Sequence, residues 1–295
     1  MNRRRFLATT GAAVGAGVAV LAADAMLVEP RNLTGTRHAI RSPGAAPGAR
    51  AARIVLLTDL HLRSIGDFHE HIAREVARAD PQVIVISGDS IDRDDTLPLL
   101  DDFLSLLPPA TPKFATWGNW EHYLELELST IAEAYARHGC RVLDNESVVA
   151  YVNGARLLIT GLDSSQDGKP DIARALRGVE PSANHLVVAH CPVQRDHVVR
   201  HLRRGTLATA LGDPRPATHT PSLVLSGHTH GGQITIGGWA PVTPVGSGPY
   251  VAGWYRDAPI PLYVSRGIGE TMIPMRFSCP PEIAVFEWTM RGEAA

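Results

Sequence analysis

Seven polar side chains of the sequence each follow a short apolar run, and together they are of the types that coordinate metals. They are Asp59, His61, Asp89, Asn119, His190, His228 and His230. Carboxylates combined with imidazoles suit borderline ions such as Mn, Fe or Zn better than Mg or Ca. The sequence therefore predicts a site for transition-metal ions.

The number of candidate ligands exceeds what a single ion needs. Two ions that share one carboxylate fit the set, and Asp89, which stands alone between the two Asp/His-x-His groups, is the natural bridge. Two divalent ions with two carboxylates and a hydroxide leave a small net positive charge. Such a centre suits a phosphate ester anion, because negative charge grows in the transition state.

Short strands have to bring these residues to one place. In open α/β sheets, sites form at the carboxyl ends of the strands. The pattern predicts strands over Arg53 to Leu57, Val83 to Ile86, Lys113 to Thr116, His185 to Ala189 and Leu223 to Leu225, with closing strands over Leu262 to Ser265 and Ile283 to Trp288. It predicts helices over Phe68 to Ala79, Leu97 to Leu107 and about Leu126 to His138, and a hairpin over Val148 to Gly161 around the turn Asn153-Gly154. This alternation indicates one α/β domain.

Taken singly, most of these motifs are weak. A lone Asp-x-His or Gly-Asp turn is common, and a histidine such as His190 at the end of an apolar strand is more often a hydrogen-bonded core residue. The run Gly227-His228-Thr229-His230-Gly231-Gly232 is more specific, because its glycines free the backbone for unusual φ values. The complete ordered set favours the metal interpretation.

The same motifs resemble the five blocks of the calcineurin-like metallophosphoesterase family. The blocks are Asp59-x-His61, Gly88-Asp89, Gly118-Asn119, His190 and Gly227-His228-Thr229-His230. The resemblance runs from about Arg53 to Trp288. It is greatest to the branch of exported bacterial phosphodiesterases with a twin-arginine signal, through Leu225 to Gln233, Tyr263 to Gly269 and Pro280-Pro281-Glu282-Ile283.

The resemblance implies a four-layer α/β/β/α sandwich with two metals at its strand-end edge. It implies that Asp59, His61 and His230 hold one ion, that Asn119, His190 and His228 hold the other, and that Asp89 bridges them. It also implies that a hydroxide shared by the two ions attacks phosphorus in line, without a covalent enzyme intermediate.

The sequence departs from the family pattern after Asn119. A histidine that helps to protonate the leaving group usually follows the asparagine, whereas this chain continues Trp120-Glu121-His122. Either His122 or Glu121 acts as the general acid, or the enzyme needs none because its esters have good leaving groups. A third alternative is a site that has become a noncatalytic phosphate-binding module.

Other residues near these motifs have plain structural interpretations. We expect Cys191 to be a packing residue rather than a nucleophile, and Arg266 and Arg276 to be structural rather than phosphate ligands. The stretch Trp239 to Tyr255 is aromatic and rich in Gly and Pro. We expect it to be a rim packed against the sheet, with a wall for a lipid or nucleobase as the alternative.

The N-terminus has the layout of an export signal. Arg3-Arg4-x-Phe6-Leu7 resembles the twin-arginine signal, an uncharged stretch follows, and Ala23-Asp24-Ala25 is a cleavage pattern. We expect residues 1–25 to be a removed signal peptide, 26–52 a linker with a short strand near Leu33 to Ile40, and 53–290 the catalytic domain. An uncleaved anchor is the alternative, although the apolar stretch falls short of about 20 strongly apolar residues. The protein is expected outside the cytoplasm, in the periplasm or on the outer face of the cytoplasmic membrane, with the twin-arginine export machinery as a partner.

Composition excludes several classes of protein. The 295 residues are 44% hydrophobic and 20% charged, which is globular, and the formal net charge of −2 argues against bulk binding of nucleic acid. Three cysteines are too few for a disulfide framework or a cysteine-based zinc site.

The function that this sequence predicts is hydrolysis of phosphate esters by two divalent ions. Diesters, or phosphorylated envelope components or lipids, are the expected substrates, the lipids at a membrane surface. The competing class is a metal-dependent amide or lactone hydrolase, whose histidine cluster usually comes early in the chain rather than late.

Overall fold

Two six-stranded mixed sheets, stacked face to face, form the frame of the molecule. The computed structural model describes residue 10, residues 15–210 and residues 219–292. The first sheet has the order β1-β12-β2-β3-β4-β5 and the second β10-β11-β9-β8-β7-β6. Their strands are β1 (Thr34–Arg41), β2 (Ala52–Leu57), β3 (Val83–Ser87), β4 (Lys113–Thr116), β5 (Cys140–Val142), β6 (Glu146–Val152), β7 (Ala155–Leu162), β8 (His185–Ala189), β9 (Leu223–Ser226), β10 (Gly253–Tyr255), β11 (Leu262–Val264) and β12 (Glu282–Thr289).

Helices cover the outer faces of both sheets. They are α1 (Asp67–Arg78), α2 (Leu97–Leu106), α3 (Asn119–Tyr123), α4 (Leu128–Arg137), α5 (Ile172–Ala175) and α6 (Gln194–Ala210). Short 3₁₀ turns lie at Glu29–Arg31, Asp94–Thr96 and His230–Gly232. The strands and helices that the sequence predicts are present, with some ends shifted by one or two residues, and the structure adds β5, β10, α3, α5 and α6.

Three apolar cores confirm the four-layer α/β/β/α architecture. One core joins β2 and β3 to α1, α2 and α4, through side chains such as Ile72 and Phe103. A second lies between the sheets and includes Trp288. The third joins β8, β9 and β11 to α5 and α6, through Val198. The central strands are continuous apolar runs because both of their faces are covered.

Each sheet contains a parallel block, and these blocks position the site. Strands β2, β3, β4 and β5 are parallel in the first sheet, and β7, β8, β9 and β11 are parallel in the second. Parallel strands present their carboxyl ends at a common edge, so the loops after β2, β3, β4, β8 and β9 meet there.

The N-terminal region joins the fold before the catalytic motifs begin. Residues 15–23 are helical and exposed, and a π-helical turn, Asp24–Val28, follows them. Strand β1 pairs with β12 at the edge of the first sheet. The twin-arginine motif at Arg3-Arg4 lies outside the described residues. Within the described ranges, no helix has both the length and the apolar character required to cross a membrane.

Candidate metal centre

The seven predicted ligands come together at the common edge of the two sheets, and all of them are buried. Asp59 and His61 follow β2, Asp89 follows β3, Asn119 begins α3, His190 follows β8, and His228 and His230 follow β9. The side chains form two groups, one of Asp59, His61 and His230 and the other of Asp89, His190 and His228. Within each group, the potential ligand atoms lie within 4.8 Å of one another.

The imidazoles face each other in pairs. His61 Nε2 lies 3.1 Å from His230 Nε2, and His190 Nε2 lies 3.1 Å from His228 Nδ1. Two nitrogens bound to one ion at about 2.1 Å each are about 3 Å apart, so each pair has the spacing of two ligands on one ion.

The second nitrogen of three histidines is held by a backbone carbonyl. His190 Nδ1 is 2.7 Å from Ser87 O, His228 Nε2 is 2.6 Å from Val245 O, and His230 Nδ1 is 3.2 Å from Gly269 O. A carbonyl only accepts, so each of these nitrogens donates, and the other nitrogen of each ring faces the site. Imidazole nitrogens that face each other in pairs beside two carboxylates form a donor set that fits metal ions.

His61 has a carboxylate as its outer neighbour. Its Nδ1 lies 3.7 Å from Asp92 Oδ2, and Asp92 also accepts a hydrogen bond from Arg63. A carboxylate behind a ligating histidine orients the ring and raises its basicity. Burial would raise the pKa of Asp92, but the nearby His61 and the hydrogen bond from Arg63 lower it overall, so Asp92 is an anion at neutral pH.

Asp89 lies between the two groups. Its Oδ2 is 3.1 Å from His190 Nε2 and 3.8 Å from His61 Nε2, while its Oδ1 accepts a hydrogen bond from Trp120 N at 2.9 Å. Asn119 Oδ1 lies 3.2 Å from His190 Nε2 and joins the second group. One carboxylate oxygen thus faces histidines of both groups, which is the position of a bridging ligand.

Burial and neighbouring charges move the pKa values of the two carboxylates in opposite directions. Burial raises the pKa of Asp59, and the charge of Asp89 adds to this effect. Burial would also raise the pKa of Asp89, but the charge of His190 and a hydrogen bond from it lower that pKa overall. In the same way Asp89 raises the pKa of His190 although burial opposes it. Two buried carboxylates that lack a Lys or Arg partner favour cations in the pocket.

The loops that carry the ligands are held in an unusual backbone conformation. Asp59, His61, Asp89, His228 and His230 all have φ between 41° and 72°. Non-glycine residues rarely adopt this region, and such strain clusters at functional sites. Close approach adds a second constraint, because a Cβ on Gly118 would lie 2.1 Å from Asp89 Oδ1.

Glu121 fixes the loops that carry Asp89 and Asn119. Its buried carboxylate accepts hydrogen bonds from Asp89 N at 3.0 Å, Ser90 N at 2.7 Å and Gly118 N at 2.9 Å. Burial and the nearby charge of Asp89 raise its pKa. Its oxygens are taken up by backbone donors, so its contacts are those of a positioning residue.

A cavity lies beside the candidate metal ligands, and His122 does not line it. Its Nε2 is 2.6 Å from Asp163 Oδ1, and this hydrogen bond raises the pKa of His122. The cavity is about 300 Å³ and is lined by Asp89, Asn119, Trp120, Tyr123, Gln166, His228, His230, Pro244, Thr271 and Met272. Trp120 and Tyr123, rather than His122 or Glu121, occupy the wall next to Asn119.

The remaining residues singled out by sequence have structural partners. Cys191 is fully buried, with its Sγ 3.6 Å from Ser164 Oγ. Arg276 is fully buried and donates to three backbone carbonyls, and Arg266 lies 3.7 Å from Glu282. Of the aromatic residues of 239–255, Tyr250 is buried, whereas Trp239 is 64% exposed.

A chain of contacts links the N-terminal segment to His230. Arg276 N donates to Ala25 O at 2.8 Å, and the Glu29 carboxylate accepts from Ser278 N at 2.9 Å and from Cys279 N. Arg276 Nη2 donates to Gly269 O, which also accepts from His230 Nδ1. The segment before β1 therefore supports the loop that orients a metal ligand.

Sequence reasoning did not identify Asp92, Asp163 or the carbonyls of Val245 and Gly269. Asp92 has a local signal, since it comes three residues after Asp89 in a run rich in aspartate. The carbonyls have no signal, because any residue supplies one and only the path of the chain decides where it points.

Comparison with known proteins gives the family. The family model described as calcineurin-like phosphoesterase matches residues 52–232. The chain belongs to this family. The chain is also 28% identical to the uncharacterized metallophosphoesterase YkuE of Bacillus subtilis (strain 168), over 97% of both chains. It is 29% identical to the phosphodiesterase YaeI of Escherichia coli (strain K12), over 97% of this chain and 99% of that one.

Among solved structures, the 5'-nucleotidase precursor of Thermus thermophilus is similar to this chain with a TM-score of 0.45 and 14% identity, over 74% of this chain and 49% of that one. The family membership and the curated relatives show that this calcineurin-like phosphoesterase is a hydrolase of phosphate esters, as the sequence predicts. Two groups of its residues are able to hold metals.

Proposed function

We propose that the protein is an exported phosphodiesterase that works with two divalent ions, with Mn, Fe or Zn as the candidates. The observation that carries this proposal is the two pairs of facing imidazole nitrogens on either side of Asp89. The name of the E. coli relative, a phosphodiesterase, supports diesters as the substrate class. Phosphorylated envelope or lipid components are the diesters and monoesters that an exported enzyme meets.

The residues divide into two sets of ligands that share one member. Asp59, His61, Asp89 and His230 would hold one ion, and Asp89, Asn119, His190 and His228 the other. When bound, such ions supply a hydroxide nucleophile at neutral pH and neutralise the charge of the phosphoryl oxygens.

The chain itself contributes orientation and shape. Backbone carbonyls fix the tautomers of His190, His228 and His230, so that these rings need no rearrangement to bind metal. Glu121 holds the loop of Asp89. Trp120 contacts His61 edge to face, with ring centroids 5.8 Å apart, and closes the cavity on that side.

The residues of the cavity wall decide which side chains are available to protonate the leaving group. Its lining includes the phenol of Tyr123 and the amide of Gln166, but neither His122 nor Glu121. Tyr123 already donates to Asp167, and Gln166 donates to Tyr123. This lining favours esters whose leaving group departs without a histidine acid.

Export is the second half of the proposal. Arg3-Arg4-x-Phe6-Leu7 supports the twin-arginine route, and a location on the outer face of the cytoplasmic membrane follows. The buried position of Ala25 and its hydrogen bond to Arg276 support a leader that stays attached, because a peptidase requires an accessible, extended bond.

One set of assays tests the activity. Protein purified without added ions is analysed for metal and then assayed with Mn on nitrophenyl phosphate mono- and diesters, beside lactones and a β-lactam. We expect about two ions per chain, faster cleavage of the diester and complete loss of activity with a chelator. Turnover of the lactones alone would contradict the proposal, and tight phosphate binding without turnover would indicate a binding module.

A further inference from the structure

Large apolar side chains are exposed mainly in three segments of the described chain. They are Val18, Val20, Leu21, Met26, Leu27 and Val28 in the N-terminal segment, Ile236, Trp239, Val242 and Val245 after the histidine pair, and Met272 and Ile273 before Arg276. The other exposed side chains of this kind that the structure describes are Leu106, Tyr123 and Tyr151. Exposed apolar surface is usually scattered, so its concentration marks an interaction surface.

Hydrogen bonds join the second and third segments around the cavity. Gln233 Nε2 donates to Ile273 O at 2.8 Å and to Thr271 O at 3.1 Å, and Thr235 N donates to Phe277 O at 2.8 Å. Pro244, Thr271 and Met272 line the cavity beside the metal ligands. We call Ile236, Trp239, Val242, Val245, Met272 and Ile273 the apolar rim, and its Met272 lines the cavity directly.

The N-terminal segment continues from this rim. Ala25 and Glu29 are hydrogen-bonded to residues 276–279, directly after Met272 and Ile273. Met26 and Pro274 also line a common cavity of about 570 Å³ together with His61. The helical residues 15–23 beyond them are all exposed and consist only of Gly, Ala, Val and Leu. A helix that is apolar on every side needs an apolar environment.

Charge is missing from the two loops that form the apolar rim. The sequence from Gly231 to Tyr255 contains no Asp, Glu, Lys, Arg or His, and neither does the sequence from Thr271 to Met275. Burying this surface in a lipid interface therefore requires desolvation of few charged groups. A Trp at such a boundary places its ring at the level of the headgroups.

We propose that the apolar rim rests on the surface of a phospholipid bilayer and that the substrate is a phosphate ester of a membrane lipid. The occupant is lipid because the rim is continuous with the helix of residues 15–23. This helix is apolar on every side and is exposed along its whole length. In this position the headgroup enters the cavity while the acyl chains stay in the bilayer. The substrate class rests on the proposed phosphodiesterase function, whereas the docking surface does not.

The test uses the full chain with vesicles of phosphatidylglycerol and phosphatidylethanolamine whose acyl chains are brominated. Bromine quenches tryptophan fluorescence at short range, and Trp239 is more exposed than Trp117 and Trp288, which are buried. We expect clear quenching in the wild type and loss of most of it in Trp239→Phe. Equal quenching in both proteins, or none in the wild type, would overturn the docking surface.

A kinetic arm tests the substrate class. We expect the double variant Val242→Gln/Ile273→Gln to cleave a diester embedded in vesicles at least about tenfold more slowly, since each side chain loses the burial of a large apolar group. Its rate on a soluble nitrophenyl diester should be unchanged. Tyr151→Gln, at an exposed position of strand β6, is the matched control and should change neither rate.

The outcomes separate this inference from the proposed function. Failure of the wild type on the soluble diester would end the proposed function, and the quenching experiment would still report on docking. Loss of both rates in the double variant would show that the rim supports the fold of the site and would overturn the proposal. A dimer in lipid-free solution that the double variant dissolves would overturn it in favour of a second copy of the chain.

Discussion

The two sheets contribute different halves of the candidate metal centre. The first sheet supplies both carboxylates, one imidazole and the amide, from Asp59, His61, Asp89 and Asn119. The second sheet supplies imidazoles, from His190, His228 and His230. In the first half, short contacts between neighbouring strand ends hold the ligands, such as Asp59 N to Gly88 O at 3.1 Å and His61 N to Asp89 O at 3.0 Å.

The second half depends on more distant parts of the chain. The carbonyls that orient His228 and His230 belong to Val245 and Gly269, in loops that follow the histidines by 17 and 39 positions. The loop of Gly269 is in turn held by Arg276, Ala25 and Glu29. The comparison indicates that the first half is locally specified and rigid, whereas the second half depends on loops that also form the entrance.

The largest expected effect comes from removing Asp89, the first-half ligand that also faces a histidine of the second half. Asp89→Ala should lower kcat/KM for a nitrophenyl diester by at least about 10³-fold. Removal of a residue that only hydrogen-bonds to a metal ligand typically costs about 10- to 100-fold. The number of bound ions, measured after dialysis, should fall with it. Asp95→Ala, which removes an exposed carboxylate, is the control. A folded Asp89→Ala protein that keeps full activity would end the bridging role.

The next effect tests the rigidity of the first half. Glu121→Gln leaves one of three backbone donors without an acceptor, and we expect chemical denaturation to show a loss of about 2–3 kcal/mol. Metal affinity should fall as well, because the loop of Asp89 shifts. Glu125→Gln, four residues on and exposed, should change neither quantity. Unchanged stability in Glu121→Gln would show that the first half does not depend on this carboxylate.

A smaller effect tests the tether of the second half. Glu29→Gln weakens the charged contacts to Ser278 N and Cys279 N, and we expect a loss of about 1 kcal/mol in stability. Metal affinity should decrease while the stoichiometry is kept, because the loop of Gly269 is less well held. Glu75→Gln, on the surface of α1, is the comparison. A Glu29→Gln protein that binds metal and melts like the wild type would show that this tether does not support the second half.

The smallest effect concerns His122, which lies outside both halves. The Asp163 hydrogen bond raises the pKa of His122, so its stabilisation is complete below the unfolded pKa of about 6.5 and is lost as pH rises through the folded pKa. Burial alone would raise the pKa of Asp163, but the hydrogen bond from His122 lowers it. The contribution of the Asp163 carboxylate to stability is therefore lost only in strong acid. We expect His122→Gln to cost about 0.5 kcal/mol at pH 6 and less at higher pH.

The same variant separates the two candidate roles of His122. Because His122 does not line the cavity, turnover of alkyl and nitrophenyl diesters should fall by the same small factor. His71→Gln, an exposed histidine on α1, is the stability control. A selective loss on alkyl esters would make His122 the general acid after all.

Much of the fold follows from local patterns. The runs Val83 to Ile86 and Leu186 to Ala189 are apolar throughout and are followed by polar residues, so the sequence predicts them as buried strands. The strand β5 was missed because Cys140-Arg141-Val142 is too short for a period. Helix α6 was missed because its basic residues obscure the apolar positions Val198 and Val199.

The sequence by itself determined the kinds of ligand, their order and their placement at strand ends, because these depend on residue type and on strand periodicity. Only the tertiary structure decided which nitrogen of each histidine faces the site, that His122 turns to Asp163, and that the exposed apolar loops gather at the entrance. Those features depend on contacts between residues tens to hundreds of positions apart, such as Ala25 with Arg276. No local pattern in the chain encodes such contacts.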